Sequence, residues 1–194
     1  MRGHHWRRQA SVDGLTGLAN RAKFDRTLSR RLAGHPTQRA SVALLVIDAD
    51  YFKRINDTCG HAAGDKVLRE IATILAASVG NADLVARLGG EEFGIIVETR
   101  SPNRVAKIAE NIRATVEGWD FSEIDDRLSE VTVSIGFVIA AAGETPDSLY
   151  IAADIALYEA KRSGRNQVRA ARAPSEPFAS LELYSKQADD TAAA

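Results

Sequence analysis

The chain has 194 residues, of which 45% are hydrophobic and 26% are charged, and its formal net charge is −1. This length and composition suit one well-buried domain with short appendages, and the balanced charge gives no overall field toward nucleic acid or an anionic membrane. No apolar run approaches the roughly 20 residues of a membrane span, and the single cysteine, Cys59, excludes an internal disulfide. We therefore expect a cytoplasmic protein with neither a nucleic-acid partner nor a membrane segment.

The two ends of the chain differ in composition from its middle. Residues 1–12 are basic, include Trp6 and lack the apolar core of a signal peptide, which indicates a helical linker stub or an expression remnant. From Pro174 onward the periodicity is lost and the chain ends in DDTAAA, so residues 171–194 are predicted to form a disordered tail. The domain itself is expected over residues 13–170.

From residue 13 on, helical and strand patterns alternate along the chain. Apolar residues three and four apart predict helices, whereas short continuous runs of leucine and β-branched residues predict buried strands. In chain order the predicted elements are a turn at 13–21 that leads into a helix at 19–32, a strand at 41–50, a short helix at 51–57, a glycine-containing loop at 58–65, a helix at 64–79, a β-hairpin at 83–99, a helix at 102–118, a strand at 130–141, a helix at 145–163 that is capped near Thr145 or Ser148 and followed by Gly164, and a last strand at 166–170. This order predicts an α/β (α+β) sandwich with a mixed central sheet and flanking helices.

The hairpin has an acidic tip in the segment RLGGEEFGIIV at 87–97. Glu91 and Glu92 lie at its turn, while Asp48 and Asp50 close the first long strand, so neighbouring antiparallel strands would bring three or four carboxylates within a few Å. Carboxylates this close repel one another unless a cation lies between them. Mg²⁺ or Mn²⁺ would fill that role, since such ions take oxygen ligands and share them with substrate phosphates. The alternative is a solvated turn, because acidic residues are common in turns.

Two further features favour the metal site over the solvated turn. Gly89 and Gly90 come directly before the two glutamates, and glycines there let a backbone and a ligand approach closely. In the loop DADYFKRIND, the backbone amides at the start of the short helix would face a phosphate placed beside the metal.

Five segments together resemble a known family. DGLTGLANR, IDADYFKRINDTCGHAAGD, RLGGEEF, VSIGFV and ALYEAKRSGRNQV follow one another between about residues 13 and 169 in the order of the motifs of the GGDEF family of diguanylate cyclases. Linked motifs at consistent separations are more specific than any single short pattern. The resemblance implies a nucleotide-cyclase or palm-like fold whose hairpin carries the GGEEF motif. It also implies the condensation of two GTP into cyclic di-GMP with release of two pyrophosphates.

The resemblance assigns the metal site to the acidic set. It implies that the carboxylates of Asp48 and Glu91 and the backbone carbonyl of Ala49 hold Mg²⁺ (or Mn²⁺), two ions per active site, with Glu92 at a further acidic motif position and Asp50 as a supporting group. Such ions neutralise a triphosphate, orient its α-phosphorus and lower the pKa of the attacking 3′-hydroxyl. Glu91 is also implied to be the general base.

The resemblance further implies which residues read the guanine. Asn56 and Asp65 are expected there, because one carboxylate can accept hydrogen bonds from both N1–H and the exocyclic amine of guanine, a pattern that adenine lacks. The alternative for Asp65 is a charge at a helix N-terminus. His61 lies in the same loop and is expected to position the base or the ribose, or else to make a structural hydrogen bond.

The remaining implied contacts are with the phosphates. The main-chain amides of Phe52 and Lys53 are expected to bind them, and the Lys53 side chain to stabilise developing charge. Lys161 and Arg165 lie four apart at the end of the last predicted helix, so both would project toward one site. Without the resemblance, cations near a helix C-terminus are also explained by the helix dipole.

Two positions depart from the family pattern. The third motif residue is most often Asp and here is Glu91, which is another carboxylate. Many members carry an Arg-x-x-Asp inhibitory site for the product just upstream of the hairpin, but here the stretch is GNAD, with Asp83 present and Gly80 in place of the Arg. Without that guanidinium we expect product inhibition at this site to be weak or absent.

A product with two-fold symmetry implies a homodimer, because each chain would present one GTP to the other. The segment WRRQASVD resembles the end of a linker from an upstream sensor domain, and no sensor is recognisable in these residues. Two alternatives to an active cyclase stay open: a GTP-binding regulatory module without turnover, and a related cyclase or polymerase-like enzyme that uses another nucleotide. Gly80 disfavours a pure receptor for the product.

Overall fold

A computed structural model describes residues 11–34, 41–128 and 130–171. Its helices and strands, in chain order, are β1 (Ala19–Asn20), α1 (Arg21–Ala33), β2 (Ser41–Ala49), α2 (Phe52–Cys59), α3 (His61–Ala77), β3 (Leu84–Gly89), β4 (Glu92–Thr99), α4 (Pro102–Glu117), β5 (Val133–Ile139), α5 (Pro146–Arg162) and β6 (Val168–Ala171). Within these ranges no helix is both long and apolar enough to cross a lipid bilayer.

The strands form one mixed sheet in the order β1-β3-β4-β2-β5-β6. β2 lies near the centre and pairs antiparallel with both β4 and β5, whereas the outer pairs β1 with β3 and β5 with β6 are parallel. The predicted sandwich with a mixed sheet, flanking helices and a hairpin is therefore confirmed.

Side chains of β2 alternate between two hydrophobic cores. Ala43, Leu45 and Ile47 belong to a core shared with α2, α3 and α4. Val42 and Val46 belong to a second core, which α1 and α5 cover. Because both faces are buried, the strand reads as a continuous apolar run rather than an alternating one. The same alternation turns the next residue in the second series, Asp48, toward the α5 side.

Two glycines let α1 and α5 lie directly on the sheet. Gly94 and Gly136 flank Val46 in the register of β4, β2 and β5. A Cβ at Gly136 would lie 2.2 Å from the carbonyl oxygen of Ala153 in α5, and one at Gly94 would lie 2.7 Å from the ring of Phe24 in α1. Since real Cβ atoms do not approach so closely, glycine at these positions sets the height of both helices above the strands.

The predicted loop at 58–65 is wrong. α2 continues to Cys59 and α3 begins at His61, so only Gly60 separates the two helices. Gly60 has φ +84°, a left-handed conformation that glycine adopts without steric cost and that turns the chain within one residue. The other glycine of that stretch, Gly64, lies inside α3.

The ends of the other helices follow from local capping. The predicted helix at 19–32 begins at Arg21, because the Asn20 side chain caps it by accepting a hydrogen bond from the Lys23 N–H. At α5, Thr145 and Ser148 form the expected capping box. β1 was not predicted, since two residues are too few to show a strand period.

The structure places Ser11 and Val12 in the fold. The carbonyl of Ser11 accepts from the Asn20 N–H, and Val12 bridges to Ala19. The predicted lead-in at 1–12 thus includes two residues of the fold, and the predicted tail at 171–194 includes one, Ala171 of β6. Residues 1–10 and 172–194 lie outside the described residues.

Candidate active site

The end of β2 and the tip of the β3–β4 hairpin meet at one edge of the sheet. Asp48 lies opposite Glu92 in the antiparallel register, and the Ala49 N–H donates to the Glu91 carbonyl at 3.3 Å. Gly90, in the turn just before Glu91, has φ +48°, and a Cβ there would meet no other atom within 4 Å. The structure thus brings Asp48, Ala49 and Glu91 together, with open space beside the turn.

Negative charge is concentrated around Asp48. Its side chain is 9% exposed, and its Oδ2 lies 2.8 Å from the Lys161 Nζ of α5. Burial raises the pKa of Asp48, and repulsion from Glu91 and Glu92 adds to the rise, whereas the hydrogen bond and charge of Lys161 oppose it. A second cation at this point would therefore stabilise the ionised carboxylate.

Asp50 does not share this environment. It accepts hydrogen bonds from the Ser134 hydroxyl at 2.7 Å, the Thr132 hydroxyl at 2.8 Å and the Asn166 N–H at 3.0 Å. These three donors hold the carboxylate between β5 and the turn after α5. Asp50 is thus a structural support for the strand end and not an added ligand.

The expected convergence of carboxylates is met only in part, because Asp48 lies within reach of the charges of Glu91 and Glu92, whereas Asp50 is engaged by its own donors. Across 11–34, 41–128 and 130–171, no group of three acidic, histidine or cysteine side chains is arranged to hold an ion. What remains is the pair Asp48 and Glu91 with the neighbouring backbone of Ala49. Two carboxylates and a carbonyl fit Mg²⁺, since this ion is commonly held by one or two carboxylates together with phosphate oxygens and water.

Glu92 and Asp154 extend the acidic surface toward α5. Partial desolvation and then the negative charge of Glu92 raise the pKa of Asp154, while Arg21 and Lys161 oppose that shift. Solvent still reaches Asp154, but these neighbours identify it as part of the same surface. Asp154 was not predicted as a site residue, because an exposed carboxylate on an amphipathic helix has no distinguishing sequence pattern.

The N-terminus of α2 has backbone amides that could bind an anion. Its N-cap, Tyr51, has φ +54° and makes no capping hydrogen bond with its side chain. The first-turn amides of α2, including those of Phe52 and Lys53, therefore lack the side-chain acceptor that usually satisfies them. Lys53 is exposed beside them. Free amides at a helix N-terminus next to a cation favour a phosphate.

Lys161 and Arg165 reach the site by different routes, because Arg165 lies beyond the helix and its position does not follow from the helical spacing of four on which the prediction relied. α5 ends at Arg162, Gly164 has φ +114°, and Arg165 lies in the following turn with φ +63°. The Arg165 N–H donates to the Ala160 carbonyl at 3.0 Å, which closes the helix end. Lys161 pairs with Asp48, whereas the Arg165 guanidinium lies 4.3 Å from the centre of the Tyr51 ring. Both cations still flank the end of β2.

One predicted guanine reader, Asn56, packs against Gly64, the residue directly before the other, Asp65. A Cβ at Gly64 would lie 2.0 Å from the Asn56 Oδ1, so the Asn56 amide rests against the first turns of α3, beside Asp65. Asp65 is exposed and lies beyond the first turn of α3, which contains no acidic residue. The alternative of a helix N-terminal charge is thus not supported. His61, the first residue of α3, is also exposed.

Arg87 holds the tip of the hairpin. Its Nε and Nη2 donate to the Gly90 carbonyl at 3.0 and 2.7 Å, and its Nη1 lies 3.3 Å from the Asp13 Oδ1. Asp13 also accepts from the amide and hydroxyl of Thr16. Although burial works in the other direction, these hydrogen bonds and the Arg87 charge lower the pKa of Asp13. Both residues belong to family motifs, but they are 74 positions apart in the sequence, so no local pattern reveals the contact.

Asp83 is fully engaged within the chain. Its side chain is 0% exposed and its Oδ2 lies 2.6 Å from the Arg104 Nη2. The same oxygen accepts from the Gly80 N–H at 3.0 Å, and its Oδ1 accepts from the Glu98 N–H at 3.4 Å. Arg104 of α4 thus occupies the space beside Gly80.

Over most of its length the chain is similar to known proteins. The response regulator PleD of Caulobacter vibrioides is 45% identical over 166 residues, covering 82% of this chain and 36% of PleD. Diguanylate cyclase DgcP of Pseudomonas aeruginosa is 39% identical over 165 residues, covering 85% of this chain and 24% of DgcP. The chain thus spans about a third or less of these curated relatives.

Solved structures show the same fold. The GGDEF domain of DgcB from Caulobacter crescentus, in complex with c-di-GMP, is 41% identical with a TM-score of 0.78, covering 86% of this chain and 98% of that one. The active GGEEF domain of a diguanylate cyclase from Vibrio cholerae is 31% identical with a TM-score of 0.73, covering 80% and 98%. A family model described as "Diguanylate cyclase, GGDEF domain" matches residues 10–167. The chain therefore belongs to the GGDEF family.

Proposed function

We propose that this chain is a diguanylate cyclase domain that condenses two GTP into cyclic di-GMP and two pyrophosphates with Mg²⁺ or Mn²⁺, in the cytoplasm, where GTP is available. The observation that carries the proposal is the meeting of Asp48, Ala49 and Glu91 beside the uncapped start of α2. This edge combines oxygen ligands for a metal with amides for a phosphate. Family membership supports the same chemistry.

Each side chain of the site has a proposed task. Asp48 and Glu91, with the Ala49 carbonyl, hold the ions. When bound, two Mg²⁺ ions per site supply charge neutralisation of the triphosphate and a lower pKa for the 3′-hydroxyl. The amides of Phe52 and Lys53 bind phosphate oxygens, and Lys53 stabilises charge that develops on them. Glu91 accepts the 3′-hydroxyl proton, and the exposed Glu92 strengthens the negative field around Asp48.

The substrate is oriented from both ends. Lys161 and Arg165 bind the β- and γ-phosphates, since Lys161 pairs with Asp48 at the end of β2 and Arg165 lies over the ring of Tyr51, two residues beyond that strand. Asn56 and Asp65 bind the guanine edge, and His61 lies at the same end of α3. A carboxylate reader favours GTP over ATP, because adenine offers no adjacent pair of donors.

The reaction requires two chains. One chain presents one GTP, so each 3′-hydroxyl attacks the α-phosphate of the GTP on the other chain, and two bonds form with loss of two pyrophosphates. A homodimer with two-fold symmetry places both reactions in one complex.

The inhibitory site for the product is proposed to be degenerate. Gly80 supplies no guanidinium, and the Asp83 carboxylate is buried and paired with Arg104. Product binding there would need an Asp83 oxygen that is already bonded within the chain.

The competing function is a GTP-binding regulatory module without turnover. It would use the same phosphate and guanine contacts, so binding alone does not separate the two. Intact Asp48 and Glu91 favour turnover, since a pure binding module has no need for paired metal carboxylates.

Turnover separates the two functions directly. We expect the protein at high concentration, incubated with GTP and Mg²⁺, to form cyclic di-GMP that chromatography and mass spectrometry identify. Glu91→Ala should lower the rate by at least about a hundredfold, because it removes a metal ligand, while the circular dichroism spectrum stays unchanged.

The matched control is Asp147→Ala, an exposed carboxylate at the opposite end of α5, which should keep full activity. If GTP binds but no cyclic di-GMP forms, the regulatory module is the correct function. Full activity of Glu91→Ala would show that the metal site is misassigned.

A further inference from the structure

Tyr51 carries two guanidinium groups on its ring. The Arg165 Cζ lies 4.3 Å from the ring centre and the Arg54 Cζ lies 4.9 Å from it. In addition, the Arg165 Nη1 donates to the Tyr51 hydroxyl at 3.2 Å. The ring itself is 51% exposed, so it contributes little to the core. Core packing therefore does not explain why this half-exposed ring contacts two cations.

The backbone at both contacts is strained. Tyr51 has φ +54° and Arg165 has φ +63°, a left-handed region that costs free energy for residues other than glycine. Asp50 ties the two segments together, because its carboxylate accepts from the N–H of Asn166, next to Arg165. The fold therefore holds Tyr51 and Arg165 in contact although both backbone conformations cost free energy. Such a cost indicates a role for the contact beyond stability.

The charge around Tyr51 points to an anion. Arg54, Lys53 and Arg165 all lie at or next to the start of α2, whose amides also present positive partial charge. Two guanidinium groups that share one ring repel each other, and the ring compensates only part of that repulsion. A phosphate at the first turn of α2 would compensate the rest.

We propose that Tyr51 is a positioning residue that holds the Arg165 guanidinium beside the amides of Phe52 and Lys53, and so raises the affinity for the β- and γ-phosphates. This inference rests on the proposed function, in which GTP is the substrate. Tyr51 itself does not touch the reacting atoms. Arg165 lies on a turn outside any helix, so its side chain would lose conformational entropy when it binds phosphate. Tyr51 orders that side chain before binding and thereby reduces this entropy loss.

A double-mutant cycle tests the coupling. Tyr51→Leu, Arg165→Ala and the double variant are compared by calorimetric binding of a non-hydrolysable GTP analogue and of GMP, both with Mg²⁺. We expect Tyr51→Leu to weaken binding of the analogue by about three- to tenfold and to leave GMP binding unchanged, because GMP lacks the β- and γ-phosphates. In the Arg165→Ala background, Tyr51→Leu should have no further effect.

Two additional variants separate the ring from the backbone. Tyr51→Asn removes the ring, but asparagine tolerates the left-handed conformation, so the fold is kept and the same loss of affinity is expected. Tyr51→Phe removes only the hydroxyl contact and should cost less, about two- to threefold. Turnover should follow binding, with a raised KM for GTP and a nearly constant kcat.

Tyr158 provides the matched control. It is 53% exposed and also lies under a guanidinium, that of Arg162 at 5.7 Å, but on the outer surface of α5. Tyr158→Leu should change neither affinity. Additive effects of Tyr51→Leu and Arg165→Ala, or an equal loss for GMP, in a chain that binds the analogue would overturn this inference alone. If the unsubstituted chain binds no GTP analogue, the proposed function and this inference both fail.

Discussion

Asp48 and Asp50 are two residues apart and chemically identical, yet they have different tasks. Asp48 faces Lys161 and the hairpin tip, while Asp50 is saturated by Ser134, Thr132 and Asn166. The donors to Asp50 lie 82 to 116 residues further along the chain. Spacing alone therefore predicts only that this strand end is acidic. The family resemblance assigned the ion to Asp48 and a supporting role to Asp50, but the contacts that separate the two carboxylates are visible only in the structure.

Asp83 offers a test of product inhibition at the level of a single residue. Because its carboxylate is buried against Arg104, added cyclic di-GMP should change the initial rate of GTP turnover by less than about twofold. Asp83→Ala should leave this insensitivity unchanged. It should instead lower the free energy of unfolding by about 1–3 kcal/mol in urea titrations, since it leaves the Arg104 guanidinium and the Gly80 N–H without their partner.

The exposed Asp126 serves as the control for stability, and Asp126→Ala should be nearly neutral. Tight binding of cyclic di-GMP that disappears in Asp83→Ala would contradict the prediction, because it would mean that Asp83 serves the ligand rather than the fold.

Among the larger elements, the β3–β4 hairpin depends on Arg87. Two of its nitrogens hold the Gly90 carbonyl, and its third faces Asp13. Arg87→Met keeps the aliphatic stem but loses these contacts, so the turn that carries Glu91 gains freedom. We expect kcat to fall about tenfold, since small displacements of reacting groups cost up to two orders of magnitude.

Steady-state kinetics with GTP measure this change, and Arg69→Met on the exposed side of α3 is the control. Arg87→Lys should recover only part of the rate, because an ammonium group lacks the forked geometry that holds a single carbonyl with two donors. An unchanged kcat in Arg87→Met would show that the hairpin tip keeps its position without this residue.

The strong periodic elements were predictable from sequence, and the short connections were not. The apolar run of β2 and the helical spacing in α3, α4 and α5 identified the type and approximate bounds of each. Gly60 separates α2 from α3 through one left-handed residue, and a glycine alone does not reveal whether it breaks a helix or, like Gly64, lies within one. The end of the last helix at Gly164 was predicted, but the turn with positive φ that carries Arg165 to Tyr51 was not.

At the scale of the whole molecule, the proposed chemistry makes activity depend on two chains. The specific activity should rise with protein concentration in the range where dimers form, as sedimentation or scattering determines. Addition of excess inactive Glu91→Ala chains to the unsubstituted protein should lower its activity, because a mixed dimer lacks one of the two competent sites. Unaltered activity in that mixture would contradict a reaction across the dimer.

The overall architecture and the family could be predicted from the order of the motifs. Which charged side chains lie close together in the folded chain could not. Asp154 on α5 and Arg104 on α4 carry no pattern that separates them from ordinary surface residues. Their roles arise from how helices lie on the sheet, which depends on contacts between distant segments.

One of the two glycines beside Val46, Gly136, limits which substitutions the site accepts. Because Gly136 has no side chain, the backbone of α5 rests on β5 at Ala153. Lys161, about two helical turns after Ala153, then reaches the Asp48 carboxylate. A methyl group at position 136 would push α5 away from the sheet and so increase the distance between Lys161 and Asp48. The distance between Lys161 and Asp48 thus depends on a residue without a side chain, Gly136, in the strand next to β2.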